Sequence, residues 1–285
     1  MNILIIGGNR FFGKKLARRL LDAKHHVTLL NRGTIDDGFA AEITRIKCDR
    51  TNKIALETSV RGSKWDLVYD QVCFDYKTAR EACQVFEGKT SAYVFTSSQS
   101  VYGPGANLKE EDFRPETHKF GQEETTASNY PEAKRQAEVG FQRHASFPVT
   151  VVRFPIVIGH DDYTKRFRFH ADRIKDGKPI YFPNINAKMS FVTSDFAAEV
   201  LAAFAGKGFA GAMNVASPDP IRLSDFVAMI ERAIGKKMIL ASASGDDLHS
   251  PYGIEEDWYM NCDRLKQYGL VGRPVQEWLP LLLKA

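Results

Sequence analysis

The chain has 285 residues, 44% hydrophobic and 26% charged, which is enough to bury a sizeable core and an ordinary mix for a globular protein. Its 39 basic and 35 acidic residues leave a net charge of +4 spread along the sequence. That is too thin to require nucleic acid, whose footprint needs clustered Lys and Arg. None of the cysteines at 48, 73, 83 and 262 forms a C-x-x-C pair, which argues against a zinc site and for free thiols in a reducing compartment. No apolar run approaches the ~20 residues of a membrane span, and Met1 to Ile6 reads as a core strand rather than a signal peptide, so a cytoplasmic protein is expected.

In chain order, Ile3 to Ile6 predicts a first strand. Phe12 to Ala23 follows as a helix, with Phe12, Leu16, Leu20 and Ala17, Leu21 on one stripe. Further strands are expected at 27–30, 43–48 and 66–70, a helix at 78–86, and strands at 92–95 and 149–152. Short apolar strands joined by helices imply a parallel sheet covered on both faces, because parallel pairing needs crossover connections. After Phe154 the rhythm changes. A basic and aromatic stretch at 160–190 is followed by a helix from Ser194 to Ala205 and a strand from Ala212 to Val215. Ser224 then reads as the cap of a helix over 225–234 that ends at Gly235.

Between the first strand and its helix lies Gly7-Gly8-Asn9-Arg10-Phe11-Phe12-Gly13. Backbone amides at a helix start hold a pyrophosphate, and glycines let the chain approach it, so a dinucleotide loop is expected here; a structural turn is the alternative. Arg10 stands where a middle glycine is usual, either to clamp a phosphate or as a solvated surface arginine. The second strand ends in Asn31-Arg32-Gly33. An acidic residue at this place favours NAD and an arginine accepts a 2′-phosphate, so Arg32 favours NADP over NAD.

Asn129-Tyr130-Pro131-Glu132-Ala133-Lys134 puts a phenol and an ammonium one helical turn apart on one face. The ammonium favours phenolate, which suits proton transfer near neutrality. Pro131 is tolerated if Ser128 caps the helix, since the first turn has no intrahelical donor to lose. Upstream, Thr96-Ser97-Ser98-Gln99-Ser100-Val101-Tyr102-Gly103 ends the fifth strand, at the sheet edge where ligands of open α/β folds bind.

With the Tyr-Lys pair 32 residues beyond Ser98, these motifs resemble the extended short-chain dehydrogenase/reductase, or NAD-dependent epimerase/dehydratase, family. The likeness runs from residue 1 to about 280, through the segment Val152–Gly159 with Pro155, Phe191–Asp195 and Asn214–Ala216. It implies a Rossmann-type doubly wound parallel α/β sheet with a small C-terminal substrate lobe. Residues 1–155 plus 191–215 would form the NAD(P)-binding domain, and 156–190 plus 216–285 the lobe. It further implies Tyr130 as general acid/base, Lys134 as its tuner and ribose ligand, and Ser98 as the substrate-binding hydroxyl. The cofactor would be held by Gly7, Gly8, Asn9, Arg10, Phe11, Phe12, Gly13, Asn31, Arg32, Asp49 (near the adenine), Tyr130, Lys134 and Pro155, and the substrate by Ser98, Gln99 and Arg166.

Gly-Gly-x-Arg-Phe at 7–11, Asn31-Arg32-Gly33 and Asp162-Tyr163-Thr164-x-Arg166-Phe167 are similar to bacterial relatives of chloroplast stem-loop RNA-binding proteins. The expected function is an NAD(P)-dependent reductase or epimerase acting on a sugar, nucleotide sugar or other small carbonyl substrate. Gln99 and Ser100, in places where dehydratases carry acids, argue against dehydration. The alternative is a catalytically idle protein that binds RNA or senses NADP(H). No metal and no membrane are expected, nucleic acid is not required, and the oligomeric state is open, a homodimer among the options.

Overall fold

The computed structural model describes residues 1–119, 129–245 and 247–284. In chain order, β1 (Asn2–Ile6), α1 (Phe11–Asp22), β2 (His26–Asn31), β3 (Thr44–Lys47), α2 (Lys53–Ser59), β4 (Leu67–Asp70), α3 (Tyr76–Phe86) and β5 (Tyr93–Ser98) alternate strand and helix. Next come β6 (Gly105–Leu108), α4 (Tyr130–His144), β7 (Val149–Phe154), β8 (Ile156–Ile158), α5 (Arg166–Asp176), β9 (Lys188–Met189), β10 (Phe191–Thr193) and α6 (Ser194–Gly206). The last are β11 (Gly211–Asn214), β12 (Ile221–Arg222), α7 (Leu223–Ile234), β13 (Trp258–Met260), α8 (Asp263–Tyr268) and α9 (Val275–Lys284). Among the described residues, no helix is long and apolar enough to cross a membrane.

One unit comprises 1–102, 110–154 and 194–215. Its sheet runs β11-β7-β5-β4-β1-β2-β3, every pair parallel. This is the Rossmann-type doubly wound order expected from the sequence, and the direction of winding reverses between β1 and β4. Strands such as β1 and β4 are buried on both faces, which is why they read as continuous apolar runs without alternation. Leu4, Ile6, Val68, Tyr93, Phe95 and Phe141 lie in the core beneath α3 and α4. The helix after β1 begins one residue earlier than its apolar stripe suggested, at Phe11, and so buries Phe11 rather than Phe12.

The second unit comprises 103–109, 155–193 and 216–285. It contains the parallel pair β8–β10 and a four-stranded sheet of order β12-β9-β13-β6. Phe191, Phe226, Tyr252 and Trp278 anchor its core with α7 and α9. Ser224 is not the cap of α7. The helix starts at Leu223 directly after β12, and carbonyls of the preceding chain satisfy its first donors: Leu223 N–H binds Ala187 O at 3.0 Å and Ser224 N–H binds Ile185 O at 2.8 Å. Gly235 ends α7 in the left-handed conformation, φ +75°, as expected.

His170 on α5 is wholly buried in this unit, stacked on Tyr252 at 4.6 Å between ring centroids. Arg166 O only accepts, so His170 Nδ1–H donates to it at 3.1 Å. Nε2 then receives the Ser250 hydroxyl at 2.7 Å, a neutral ring fully satisfied. Burial lowers the imidazole from 6.5 to about 4. As pH falls through 6.5 the unfolded chain takes up a proton that the folded chain refuses, so stability declines down to about pH 4, by roughly 3 kcal/mol in full. Urea denaturation at pH 7 and pH 4.5 should show a smaller loss for His170→Gln than for the native chain; equal losses would remove this histidine from the acid response.

Candidate active site

The loop after β1 is shaped by close approach. A Cβ on Gly8 would stand 2.6 Å from Ile5 Cγ2, and one on Gly13 would strike Gln71 Oε1 and lie 2.9 Å from the Gly8 Cα. Gly8 and Gly13 therefore let α1 pack onto the strand ends, and Gly7 N–H pins the turn to Leu30 O at 2.9 Å. Arg10 is exposed and extended at the cap position of α1. Phe11 takes a left-handed φ of +50°, which costs an L-residue about 1–2 kcal/mol and is held by burial of its ring. The Phe12 ring is tilted against Phe154 at 5.5 Å.

A cavity of about 350 Å³ opens beside this loop at the carboxyl ends of β1, β2 and β3. It brings together Gly7, Asn9, Asn31, Arg32 and Asp49, and adds Thr34, Ile35, Thr51, Val72 and Phe74. Asn31 Oδ1 accepts from Gly33 N–H at 2.8 Å, fixing the turn that carries Arg32. Asp49 Oδ1 accepts from the Thr51 hydroxyl at 2.7 Å and its N–H at 2.9 Å, and this hydroxyl contact chiefly lowers its carboxyl below the usual range. Asp49 does not cap α2; Asn52 does, taking the Ala55 N–H at 3.0 Å. The glycine approach, the apolar wall at Ile35 and Val72, and the polar groups at the rim fit the adenosine half of a dinucleotide.

Tyr130 and Lys134 lie on the first turns of α4. Ser128 lies outside the described residues; the cap is Asn129, whose Oδ1 receives the Glu132 N–H at 3.5 Å, with Pro131 in the first turn. Tyr130 is 39% exposed, whereas Lys134 is 2% exposed. Lys134 Nζ donates to Cys73 O at 2.7 Å and Thr96 O at 2.9 Å. It lies 4.7 Å from the Phe74 ring centre, 4.9 Å from Phe95 and 5.8 Å from Tyr130. The ammonium is thus tied to the ends of β4 and β5 and bordered by aromatic faces. Ser98, half-buried at the end of β5, accepts the Ser100 N–H at 3.1 Å, which orients its hydroxyl and leaves the hydroxyl hydrogen to donate. Gln99 is buried in the 3₁₀ turn that follows.

Sequence reasoning missed the polar core under these groups. Glu138, one turn beyond Lys134, is buried and receives the Ser97 hydroxyl at 2.6 Å and Arg153 Nη2 at 2.6 Å. Arg153 Nη1 also donates to the Tyr102 hydroxyl at 2.7 Å, which donates on to Asn214 at 2.8 Å. Burial opposes the Arg153 charge, and adjacent Glu138 more than reverses that, so the guanidinium is held above its ordinary value. Burial likewise pushes the Tyr102 phenol up. A second buried pair, Arg50 with Asp70, sits at the end of β4, where Tyr93 adds its hydroxyl to the carboxylate at 2.8 Å. The signal for Glu138 was its place four residues after Lys134, an acid on a face about to be buried. For Arg153 it was a charge inside an apolar strand.

In the second unit, Pro155 is half-buried just after β7. Arg166 opens α5, its Nε bonded to Thr164 Oγ1 at 3.1 Å, and lines an open cavity of about 420 Å³ with Lys165, Arg168, Phe169 and His249.

Comparison with known proteins agrees with this architecture. The chain is 28% identical over 206 residues to the chloroplast stem-loop binding protein of 41 kDa b from Arabidopsis thaliana, an alignment covering 66% of this chain and 50% of the relative, so it spans about half the length of that curated relative. It is similar to the crystal structure of UDP-glucose 4-epimerase from Thermus thermophilus complexed with NAD, with TM-score 0.74 and 18% identity, covering 100% of this chain and 98% of the other. A crystal structure described as a putative epimerase from Burkholderia cenocepacia gives TM-score 0.77 at 20% identity, covering 99% and 97%. At these identities the two structures establish the fold. Residues 3–216 match the NAD-dependent epimerase/dehydratase family, and the chain belongs to that family.

Proposed function

We propose that the protein interconverts a secondary alcohol and a ketone on a nucleotide sugar, ending in epimerisation or reduction, with Tyr130 as general acid/base and NADP preferred over NAD. The observation that carries the reading is the Lys134 ammonium, buried with no carboxylate partner among the described residues, one helical turn from a half-exposed phenol. An ammonium has three donors, of which the described residues take two. The third is assigned to a ribose hydroxyl, and the charge to supporting the Tyr130 oxygen while its proton is passed to and from the substrate. When bound, the nicotinamide supplies the carbon that accepts and returns a hydride.

Tyr130 takes the proton from the substrate hydroxyl as the ketone forms and gives it back in the reverse direction. Ser98, its oxygen occupied by the Ser100 N–H, donates to the same substrate oxygen and supports the charge that gathers there. Pro155 and Gln99 are assigned to the nicotinamide and substrate on resemblance, and Arg166 to a substrate phosphate. The nucleotide-sugar class is supported by family membership, and Thermus thermophilus UDP-glucose 4-epimerase is one fold relative of that kind. Gln99 and Ser100 after Ser98 supply no carboxylate for eliminating water, so dehydration is not proposed. Likeness to the Arabidopsis stem-loop binding protein favours a second reading, RNA association without turnover; a stem-loop RNA retarded in a gel at physiological salt, by a protein inert toward every sugar nucleotide, would support it.

Tyr130→Phe keeps the ring and removes the proton, so turnover in a screen of nucleotide sugars should fall about a hundredfold or more while dinucleotide binding by calorimetry stays within a factor of about two. Undiminished turnover would exclude Tyr130 from the chemistry. Arg32 makes no hydrogen bond or ion pair among the described residues, and Arg32→Ala should weaken NADP binding roughly tenfold with little change for NAD. Equal losses for the two would refute a 2′-phosphate role.

A further inference from the structure

Beside the adenosine cavity lies a second one of about 430 Å³, and Asn31, Thr34 and Ile35 line both. β3 contributes Arg45 and Lys47 to the second cavity, two residues apart and so on one face of the strand. The two charges are used differently. Arg45 is engaged by Asp37 through two hydrogen bonds of 2.6 and 2.7 Å, so that each cancels the other. Lys47 makes no hydrogen bond or ion pair among the described residues.

Its stem is nonetheless placed. Asn31 and Lys47 are register partners across β2 and β3. Lys47 Cδ, Cγ and Cε lie 3.4, 3.5 and 3.6 Å from where a Cβ of Gly33 would stand, and Gly33 holds φ +68°. The chain is therefore laid along the turn that carries Arg32, which reduces the rotamer freedom an ammonium loses when it engages a ligand.

We propose that Lys47 is the second cation, beside Arg32, of a site for the phosphate on the 2′-oxygen of the cofactor's adenosine ribose. This rests on the dinucleotide reading above. A phosphate monoester carries close to two negative charges, which one exposed guanidinium in water neutralises poorly. Two acids share the cavity and oppose an anion. Asp37 is cancelled by Arg45, and Asp36 is occupied at Oδ1 by the Gly38 N–H at 2.9 Å, leaving Lys47 to tip the balance.

The test is calorimetric titration of the whole chain with 2′,5′-ADP and with 5′-AMP, which differ by that phosphate alone. Lys47→Met keeps the stem and removes the charge. It should weaken 2′,5′-ADP binding roughly tenfold while 5′-AMP stays within about twofold, and Lys47→Arg should restore the difference. Added salt should weaken 2′,5′-ADP binding more in the native chain than in Lys47→Met. An unchanged 2′,5′-ADP affinity in Lys47→Met, or equal losses for both ligands, overturns the inference. A native protein that binds 5′-AMP with no preference for 2′,5′-ADP also overturns it, while leaving the dinucleotide reading in place; one that binds neither overturns both.

Discussion

A lysine ammonium withdrawn from water must be met by acceptors, and among the described residues Lys134 is met by two backbone carbonyls rather than by an acid. Those carbonyls belong to Cys73, just past β4, and Thr96, inside β5, so one side chain ties α4 to two neighbouring strand ends. The rings of Phe74 and Phe95 close around it at under 5 Å and favour the cation through their faces. An acidic partner would have cancelled the charge; carbonyls and rings hold it in place and leave it able to act on whatever lies next to Tyr130. The position of the phenol follows from this tie, because Tyr130 and Lys134 share one turn of helix.

Glu138 secures the same helix one turn further on. It links α4 to β5 through the Ser97 hydroxyl and to β7 through Arg153, all out of reach of solvent. Removing one member of such a pair strands the other charge, at a cost of roughly 3–5 kcal/mol, whereas the intact pair adds little net stability. What it provides is register. Ser97 bonds Glu138 while its neighbour Ser98 stands at the strand end, so the strand that carries the hydroxyl and the helix that carries the phenol cannot slide independently. The same face of α4, read as Tyr130, Lys134 and Glu138, faces water at one end and the core at the other.

Much of this was legible in the sequence because the signals are local. The parallel sheet showed as apolar runs without alternation, the close-packed loop after β1 as glycines between strand and helix, and the shared face of Tyr130 and Lys134 by their spacing. Ser98 showed by its place after a strand. The features that were not legible depend on distant partners. Ser224 looked like a cap, but carbonyls of Ile185 and Ala187 had already taken the donors it would have served. The spacing set Lys134 on one face with Tyr130 but not its burial, which depends on carbonyls some 38 and 61 residues away in the chain. Lys47 carried no signal in the sequence, and it is the turn at Gly33, just past the neighbouring strand β2, that gives its stem a place.

On the proposed reading, the Lys134 tie presents its ammonium and the Tyr130 phenol together to a bound nicotinamide nucleotide. A crystal structure of the native protein soaked with NADP addresses it directly. Tyr130 Oη and Lys134 Nζ should both lie within hydrogen-bond reach, about 3 Å, of hydroxyls on the nicotinamide ribose, with the carbonyl contacts to Cys73 and Thr96 retained. A dinucleotide seated with that ribose away from Tyr130, or bound only after Lys134 has left both carbonyls, would contradict it.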